Sequence, residues 1–234
     1  MVARARSKGY TYQDLNRDIK SGDIAPIYLF LGEEDFLIAQ SIKSLIKALL
    51  PGEESSWNLA EFDGKETTSD AVVTFLCTMP VFGARRMAVV RDFQRWTAAE
   101  TETLLPLLED MPDYASLILV ADNIDKRTKC YRTINSRGKV VELTKLDASS
   151  ATAWVIKKGA DLGLELSSKV ARRLVDQVGL SLWQLDSELS KLATYKNESD
   201  PNVTEEEIEK LAIIGQEVAD NTIFRFTDAV AEGN

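Results

Sequence analysis

The sequence predicts an α/β fold in which a doubly wound, parallel five-stranded sheet is followed by a small all-helical domain. The first observation is the apolar run at residues 27–31, which is closed by Gly32 and is typical of a central strand buried on both faces. The second is that strand and helix patterns alternate up to Leu146, whereas only helical patterns follow it. Strands that are separated by helices require right-handed crossovers, and these build a parallel sheet.

Four further segments have the composition of strands. They span residues 57–62, 86–90, 116–121 and 139–143. Asp63-Gly64 closes the first of these segments, and the Arg137-Gly138 turn precedes the last. Together with the central run they give the five predicted strands.

Helical patterns fill the intervals between these strands. Thr67 or Ser69 can cap a helix that runs to Met79 and is ended by Pro80. The other helices of this part are predicted over residues 33–50, 97–110 (with Pro106 as a kink) and 126–134.

The second half of the chain contains a series of helix starts. The candidate caps are Ser149 or Ser150, Ser167, Ser181 and Thr204. We therefore predict an α/β domain at residues 1–145 and a helical lid domain at 146–215. Residues 216–234 would begin a third helical domain, most of which is missing because the chain ends at Asn234.

Composition excludes several classes of function. The 234 residues include no histidine, which rules out Ser-His-Asp and Cys-His catalysis and every zinc site that uses histidine. The net charge of −9 argues against a protein that binds DNA on its own. Cys77 and Cys130 lie in unrelated segments and are expected to be reduced thiols. We find neither a signal peptide nor an apolar run long enough to span a bilayer, so a cytoplasmic protein without a membrane partner is expected.

The loop after the first apolar strand has the position of a phosphate-binding loop but lacks the residues that bind phosphate. In the Walker A pattern, G-x-x-x-x-G-K-[ST], glycines let backbone amides face the phosphates, the Lys reaches them and the hydroxyl binds magnesium. Gly32 is present, whereas Leu37 and Ile38 replace the second Gly and the Lys, and Ala39 replaces the hydroxyl residue. We therefore expect no nucleotide cofactor, no metal and no catalytic residue here.

Acidic residues also surround this loop. Glu33, Glu34 and Asp35 stand where a triphosphate would lie and would repel it. We interpret them as residues that stabilise the start of the helix through its dipole. Asp122 has the position of a Walker B acid, but its neighbour is Asn123, and we interpret it as a turn residue.

With its segments in this order, the chain resembles the delta subunit of the bacterial DNA polymerase III clamp loader over nearly its whole length. The resemblance is carried by the sequences PIYLFLGEEDFL at 26–37, MPVFGARR at 79–86, LWQLDSELSKL at 182–192 and IFRFTDA at 223–229. It implies an AAA+-like fold without ATPase activity, in a pentamer with gamma/tau and delta-prime subunits. Members of the family bind and open the sliding clamp (the beta subunit) and help to load it on primer-template DNA, within a holoenzyme that is a DNA polymerase.

The resemblance also implies where the clamp contact lies. The matching positions are Val81 and Phe82, with Met79 and Pro80 beside them. Pro80 ends the helix and Gly83 allows the chain to turn, so two apolar side chains can project from the break. The residues alone favour burial of Val81 and Phe82 beneath the sheet edge, whereas the resemblance favours an exposed hydrophobic wedge.

A basic segment at residues 123–145 is the second candidate site. It contains seven basic residues and two acidic ones in an otherwise acidic chain. It is compatible with a DNA backbone contact inside an assembled loader, and equally with a solvated face or a subunit contact. The candidate contact residues are Lys126, Arg127, Lys129 and Arg132.

Two other functions are alternatives for a chain of this fold class. A P-loop-type ATPase or nucleotide-dependent switch with a divergent loop would bind ATP directly. A generic doubly wound enzyme is disfavoured because the chain has neither histidine nor a G-x-G-x-x-G turn. In the helical half, Arg172 and Arg173 are candidates for the basic residue that an active lid would direct at a nucleotide, but only by residue type.

Overall fold

The computed structural model of the chain describes residues 10–52, 57–81, 83, 85–196 and 200–210. The chain divides into two compact units between Lys145 and Leu146. The segment 216–234, where we predict a third domain, lies outside the described residues. Among the helices that the structure describes, none is both long and apolar enough to cross a membrane.

The first unit is a parallel six-stranded sheet with the strand order β1-β6-β2-β5-β4-β3. Its strands are β1 (Tyr10–Thr11), β2 (Ile27–Leu31), β3 (Leu59–Asp63), β4 (Arg86–Arg91), β5 (Ala115–Ala121) and β6 (Lys139–Glu142). Its helices are α1 (Tyr12–Ser21), α2 (Asp35–Leu49), α3 (Ser69–Cys77), α4 (Ala98–Glu109) and α5 (Lys129–Arg137), and a short 3-10 turn spans Phe93–Arg95.

The apolar run of β2 lies inside the sheet, between β5 and β6. Ile27, Leu29 and Leu31 belong to a core that also contains side chains of α3, α4 and α5. Tyr28 and Phe30 alternate with them and are buried as well, so both faces of the strand are covered. This placement puts the loop after β2 at the carboxyl edge of the sheet, where the ends of two neighbouring strands flank it.

The α/β, parallel-sheet prediction is confirmed, but the sheet has six strands instead of five. The additional strand, β1, pairs with the outer side of β6 through Tyr10 and Thr11 alone. Thr11 also caps α1, by accepting the N–H of Asp14 at 3.3 Å. A two-residue strand has no alternating pattern, and α1 buries only Leu15, which explains why neither element was predicted.

Several element boundaries also differ from the sequence prediction. The strand predicted from residue 57 begins at Leu59, and the helix predicted from residue 126 begins at Lys129 after its cap, Thr128. In the second unit the cap is Asp147, whose Oδ1 accepts the N–H of Ser150 at 2.7 Å, instead of Ser149 or Ser150. A side-chain oxygen at either end of a short polar run can serve as the cap, so composition alone does not choose.

The second unit, as far as it is described, contains α6 (Ala148–Asp161), α7 (Ser168–Val178) and α8 (Leu182–Tyr195), followed by helical residues 205–210. The predicted caps Ser167 and Ser181 are confirmed. Thr204 forms the predicted capping box, since its backbone N–H donates to Glu207 at 2.8 Å. The buried apolar stripes of the three long helices form the core of this unit.

Candidate functional site

The loop after β2 is closed by hydrogen bonds to the chain's own backbone. The N–H of Gly32 donates to the carbonyl oxygen of Ala121 at 3.1 Å, at the end of β5. The N–H of Glu34 donates to the carbonyl oxygen of Leu143 at 3.0 Å, just after β6. In a phosphate-binding loop such amides face the ligand, whereas here both are already used.

Gly32 is held in this loop by its conformation and by its neighbour. Its φ of +140° lies in a region that side chains rarely adopt, and a Cβ at this position would collide with the carbonyl group of Leu143. The glycine that matches the first position of the Walker A pattern therefore serves a close backbone approach between the loop and the end of β6.

The next two positions of the degenerate pattern belong to the core. Leu37 and Ile38, in the first turn of α2, are both buried. Glu34 is buried too, and this burial raises the pKa of its carboxyl group above the ordinary value, with Asp35 contributing in the same direction. The arrangement packs apolar side chains and a carboxyl group where a nucleotide site would need a Lys and free amides.

The second candidate region is the break after α3, and buried or half-buried side chains hold its backbone. Tyr114 donates its hydroxyl to the carbonyl oxygen of Cys77 at 3.0 Å. Arg86, only 9% exposed, donates Nη1 to the carbonyl oxygens of Thr78 at 3.1 Å and Met79 at 2.8 Å. These bonds satisfy carbonyl groups at the carboxyl end of α3 that have no partner within the helix.

Arg86 is a buried cation, and the structure shows what stabilises its charge. The guanidinium lies over the ring of Phe75, with Cζ 4.1 Å from the ring centroid. The carboxyl end of α3 presents the negative end of the helix dipole to the same group. Within the described chain its Nε has no hydrogen-bond partner, so the charge is offset by a ring and by carbonyl oxygens.

Asn58 holds the other end of the break. Its Oδ1 accepts the N–H of Val81 at 2.8 Å, and its Nδ2 donates to the carbonyl oxygen of Val81 at 2.7 Å. The side chain of Asn58 is buried, at 2% exposure, directly before β3. Gly83 passes close to the same amide, because a Cβ there would lie 3.0 Å from Nδ2. One buried side chain therefore satisfies both polar groups of residue 81.

The side chains of the held segment point to solvent. Met79 is 73% exposed and Val81 is 40% exposed, so Val81 is not buried beneath the sheet edge. Phe82, the other wedge residue of the sequence prediction, lies outside the described residues. Trp57, one residue before Asn58, has a 70% exposed indole, although the sequence pattern assigns this residue to a strand.

The basic segment is largely neutralised by carboxylates, some of them distant in sequence. Three of its four candidate residues form ion pairs, which are Lys126–Glu142 at 3.3 Å, Arg127–Asp125 at 2.9 Å and Lys129–Glu109 at 3.1 Å. Arg132 makes no ion pair within the described residues, and its Nε donates to the carbonyl oxygen of Thr128 at 3.4 Å. The local charge excess of the sequence is therefore smaller in the fold.

Lys139 has a structural role within that segment. Its Nζ lies 2.8 Å from a carboxylate oxygen of Asp18 and 2.9 Å from one of Asp23. Asp18 also accepts the hydroxyl of Tyr10 at 2.6 Å. This network ties β1 and α1 to β6, so Lys139 is not available to a ligand.

Comparison with known proteins points to one family. The family model for the delta subunit of DNA polymerase III matches residues 28–144. DNA polymerase III subunit delta of Bacillus subtilis (strain 168) is 22% identical over 192 residues, which cover 78% of this chain and 55% of that protein. The probable DNA polymerase III subunit delta of Aquifex aeolicus (strain VF5) is 23% identical over 214 residues, covering 86% and 58%. The chain thus spans little more than half the length of these relatives.

A solved structure has the same fold. The Bacillus subtilis DNA clamp loader delta protein (YqeN) superposes with a TM-score of 0.75 at 19% identity, covering 96% of this chain and 73% of that one. The matched family segment begins in the central strand and ends just after the last strand of the sheet, and it accounts for half of the sequence. The chain therefore belongs to the family of the DNA polymerase III delta subunit.

Proposed function

We propose that this chain is a non-catalytic clamp-loader subunit that binds and opens the sliding clamp during DNA replication, as part of the DNA polymerase III holoenzyme. Family membership supports its place in that assembly. The observation that carries the proposal is the exposure of Met79 and Val81 on a backbone that Arg86 and Asn58 hold in place.

An exposed apolar segment of this kind suits a protein partner. Met79 and Val81 present apolar surface to water, and Phe82 adds an aromatic residue to the same segment in the sequence. Apolar and aromatic anchors that enter a pocket of the partner supply most of the binding energy of many interfaces. The proposed wedge consists of Met79, Pro80, Val81 and Phe82.

The loop after β2 supports a subunit without ATPase activity. The amides of Gly32 and Glu34 donate to Ala121 and Leu143, and Leu37 and Ile38 are packed in the core. A triphosphate would have to displace these bonds and would meet acidic side chains. The alternative, a P-loop-type ATPase or nucleotide-dependent switch with a divergent loop, requires this loop to rearrange.

Ring opening without ATP can follow from differential binding. A ligand shifts an equilibrium between closed and open rings only by the ratio of its affinities for the two states. If one ring in about a hundred is open, a wedge that binds the open interface roughly a hundredfold more tightly brings the open fraction to about one half. The gamma/tau and delta-prime neighbours would then control access to the wedge.

A direct contact with primer-template DNA is a subordinate part of this proposal. Of the candidate residues, Lys126, Arg127 and Lys129 are already paired with carboxylates. Arg132 has no such pair among the described residues and is the best candidate for a phosphate contact. Any such contact would form within the assembled loader, given the net charge of −9.

The proposal is tested by calorimetric titration of the purified sliding clamp with the chain. The double variant Val81→Ala/Phe82→Ala should bind at least about thirtyfold more weakly, because an anchor residue typically contributes about 2 kcal/mol or more. The control is Leu180→Ala, which truncates a half-exposed leucine of the second unit. Wild-type affinity in the double variant would refute the wedge.

A second titration separates the alternative. ATP with magnesium is added to the wild-type chain in the same calorimeter. We expect no saturable heat, since the loop amides are engaged by backbone carbonyls. Saturable ATP binding would favour the nucleotide-dependent switch.

A further inference from the structure

The double hydrogen bond between Asn58 and Val81 joins two segments that are distant in sequence. Asn58 precedes β3, whereas Val81 follows α3, and the two bonds are 2.7 and 2.8 Å long. Adjacent Cα atoms are about 3.8 Å apart, so the Cα of Trp57 lies within roughly 12 Å of that of Val81. An indole and the apolar side chains of the break can therefore meet one partner surface.

Trp57 differs from the buried aromatic residues of the first unit. Phe93 and Trp96 are buried in the core, and the Trp96 Nε1 donates to the carbonyl oxygen of Thr67 at 3.0 Å. Trp57 instead leaves most of its surface in water, and Met79 and Val81 are exposed as well. Tryptophan offers the largest contact area of any side chain and is enriched among the residues that dominate interfaces.

We propose that the clamp-contact surface is composite. Trp57 forms its second anchor, and Asn58 is the positioning residue that fixes Trp57 relative to the exposed residues Met79 and Val81. This inference rests on the proposed function, because it takes the sliding clamp as the occupant of the surface. It extends the site from one helix break to two chain segments.

Asn58 acts through Val81 instead of touching the clamp. It is buried, and both ends of its amide are used by the Val81 peptide. Together with the bonds from Arg86 to Met79, this restricts the backbone before the partner arrives. Ordering a loop during association weakens binding, so a segment that is already ordered binds more tightly with the same contacts.

The test is a set of clamp titrations with variants of the whole chain. Trp57→Ala should lower the affinity at least about tenfold and Trp57→Phe should restore most of it, because an aromatic ring is retained. The matched control is Trp183→Ala, which truncates a tryptophan of the second unit that is also more than half exposed. Its affinity should equal that of the wild type.

Asn58→Ala tests the positioning role. We expect a several-fold loss of clamp affinity, an unchanged heat capacity of binding and a more unfavourable binding entropy, together with faster hydrogen exchange at the Val81 amide. Exchange at β4 amides such as that of Val89 reports whether the sheet remains intact. Asn58→Asp, which keeps the acceptor but loses the donor, should fall between the alanine variant and the wild type.

Including Val81→Ala distinguishes the two ways of failing. If Val81→Ala binds as tightly as the wild type, the proposed function and the composite surface are both wrong. If Val81→Ala weakens binding while Trp57→Ala and Asn58→Ala do not, the composite surface alone is wrong. Equal losses for Trp57→Ala and Trp183→Ala would also overturn it, because the effect would then not be specific to this surface.

Discussion

The carbonyl group of Leu143 occupies the space into which a side chain at Gly32 would project. This contact links the loop after β2 to the end of β6, and it coexists with the bond from the Glu34 N–H to the same carbonyl oxygen. The loop therefore connects β2 to the end of β6. A substitution within it should change the stability of the first unit.

Gly32→Ala should destabilise the first unit by about 2–4 kcal/mol, because it adds backbone strain at a positive φ to a collision with backbone atoms that cannot rotate away. The measurement is the free energy of unfolding from urea denaturation. Gly22→Ala is the control, since Gly22 also has a positive φ of +78° but a Cβ added there would meet nothing within 4 Å. The Gly22→Ala variant should lose only about 1 kcal/mol of its free energy of unfolding.

Ile38→Lys restores the residue type of a phosphate loop and should nevertheless create no ATP site. Ile38 is buried, so the new ammonium group would be desolvated without a partner and should destabilise the fold by roughly 3 kcal/mol or more. Ala48→Lys, at an exposed position of the same helix, should be nearly neutral. A rise in the unfolding temperature of Ile38→Lys on adding ATP and magnesium would mean that the loop after β2 can still bind a nucleotide.

Asp18 makes the contact between α1 and β6 sensitive to acid. Hydrogen bonds from Lys139 and Tyr10 lower the pKa of its carboxyl group from 3.8 to about 2. Because the folded pKa is below the unfolded one, the stabilisation is complete above about pH 4 and is lost as the pH falls toward 2. Asp18→Asn should therefore be less stable than the wild type at pH 7, by on the order of 1 kcal/mol, and the difference should shrink below pH 4.

Asp125 provides the comparison for this pH experiment. Its pKa is also lowered to about 2, by hydrogen bonds from the Arg127 side chain and backbone, but this pair is exposed to solvent. Exposed pairs contribute little to stability. Asp125→Asn should therefore unfold at the same urea concentration as the wild type, both at pH 7 and below pH 4. A larger effect for Asp125→Asn than for Asp18→Asn would reverse our assignment of the structural pair.

If the basic segment contacts DNA, Arg132→Gln in the assembled loader should reduce the salt dependence of DNA binding. Each phosphate contact contributes about 0.9 to the slope of log affinity against log salt concentration for duplex DNA. Arg127→Gln is the control, because Arg127 is paired with Asp125. Identical slopes for the wild type and Arg132→Gln would remove this residue from the DNA path.

The sequence predicts the centre of the sheet well because the signals there are local. The run Ile27–Leu31 is continuous and apolar, and it forms the buried strand β2 followed by Gly32, as expected. The packing of the degenerate loop is predicted equally well. Leu37 and Ile38 are apolar residues in the place of the Gly and Lys of the Walker A pattern, and both are buried in the core.

Contacts between segments that are distant in sequence cannot be predicted from such local signals. Nothing in the residues around Asn58 indicates that its amide binds the peptide of Val81, 23 positions later. The ion pairs of the basic segment could not be predicted for the same reason, because Lys139 pairs with Asp18 from the other end of the unit. The exposure of Val81 follows from its two backbone bonds to Asn58 and not from its hydrophobicity.

The proposed wedge would open the sliding clamp without ATP. Opening is measured as the distance across one interface of the sliding clamp, from energy transfer between dyes on either side, with the chain added in the absence of nucleotide. We expect the wild-type chain to lower the transfer efficiency and the Val81→Ala/Phe82→Ala variant to leave it unchanged. Unchanged transfer at a concentration of wild-type chain that saturates the clamp would mean that the chain binds the ring without opening it.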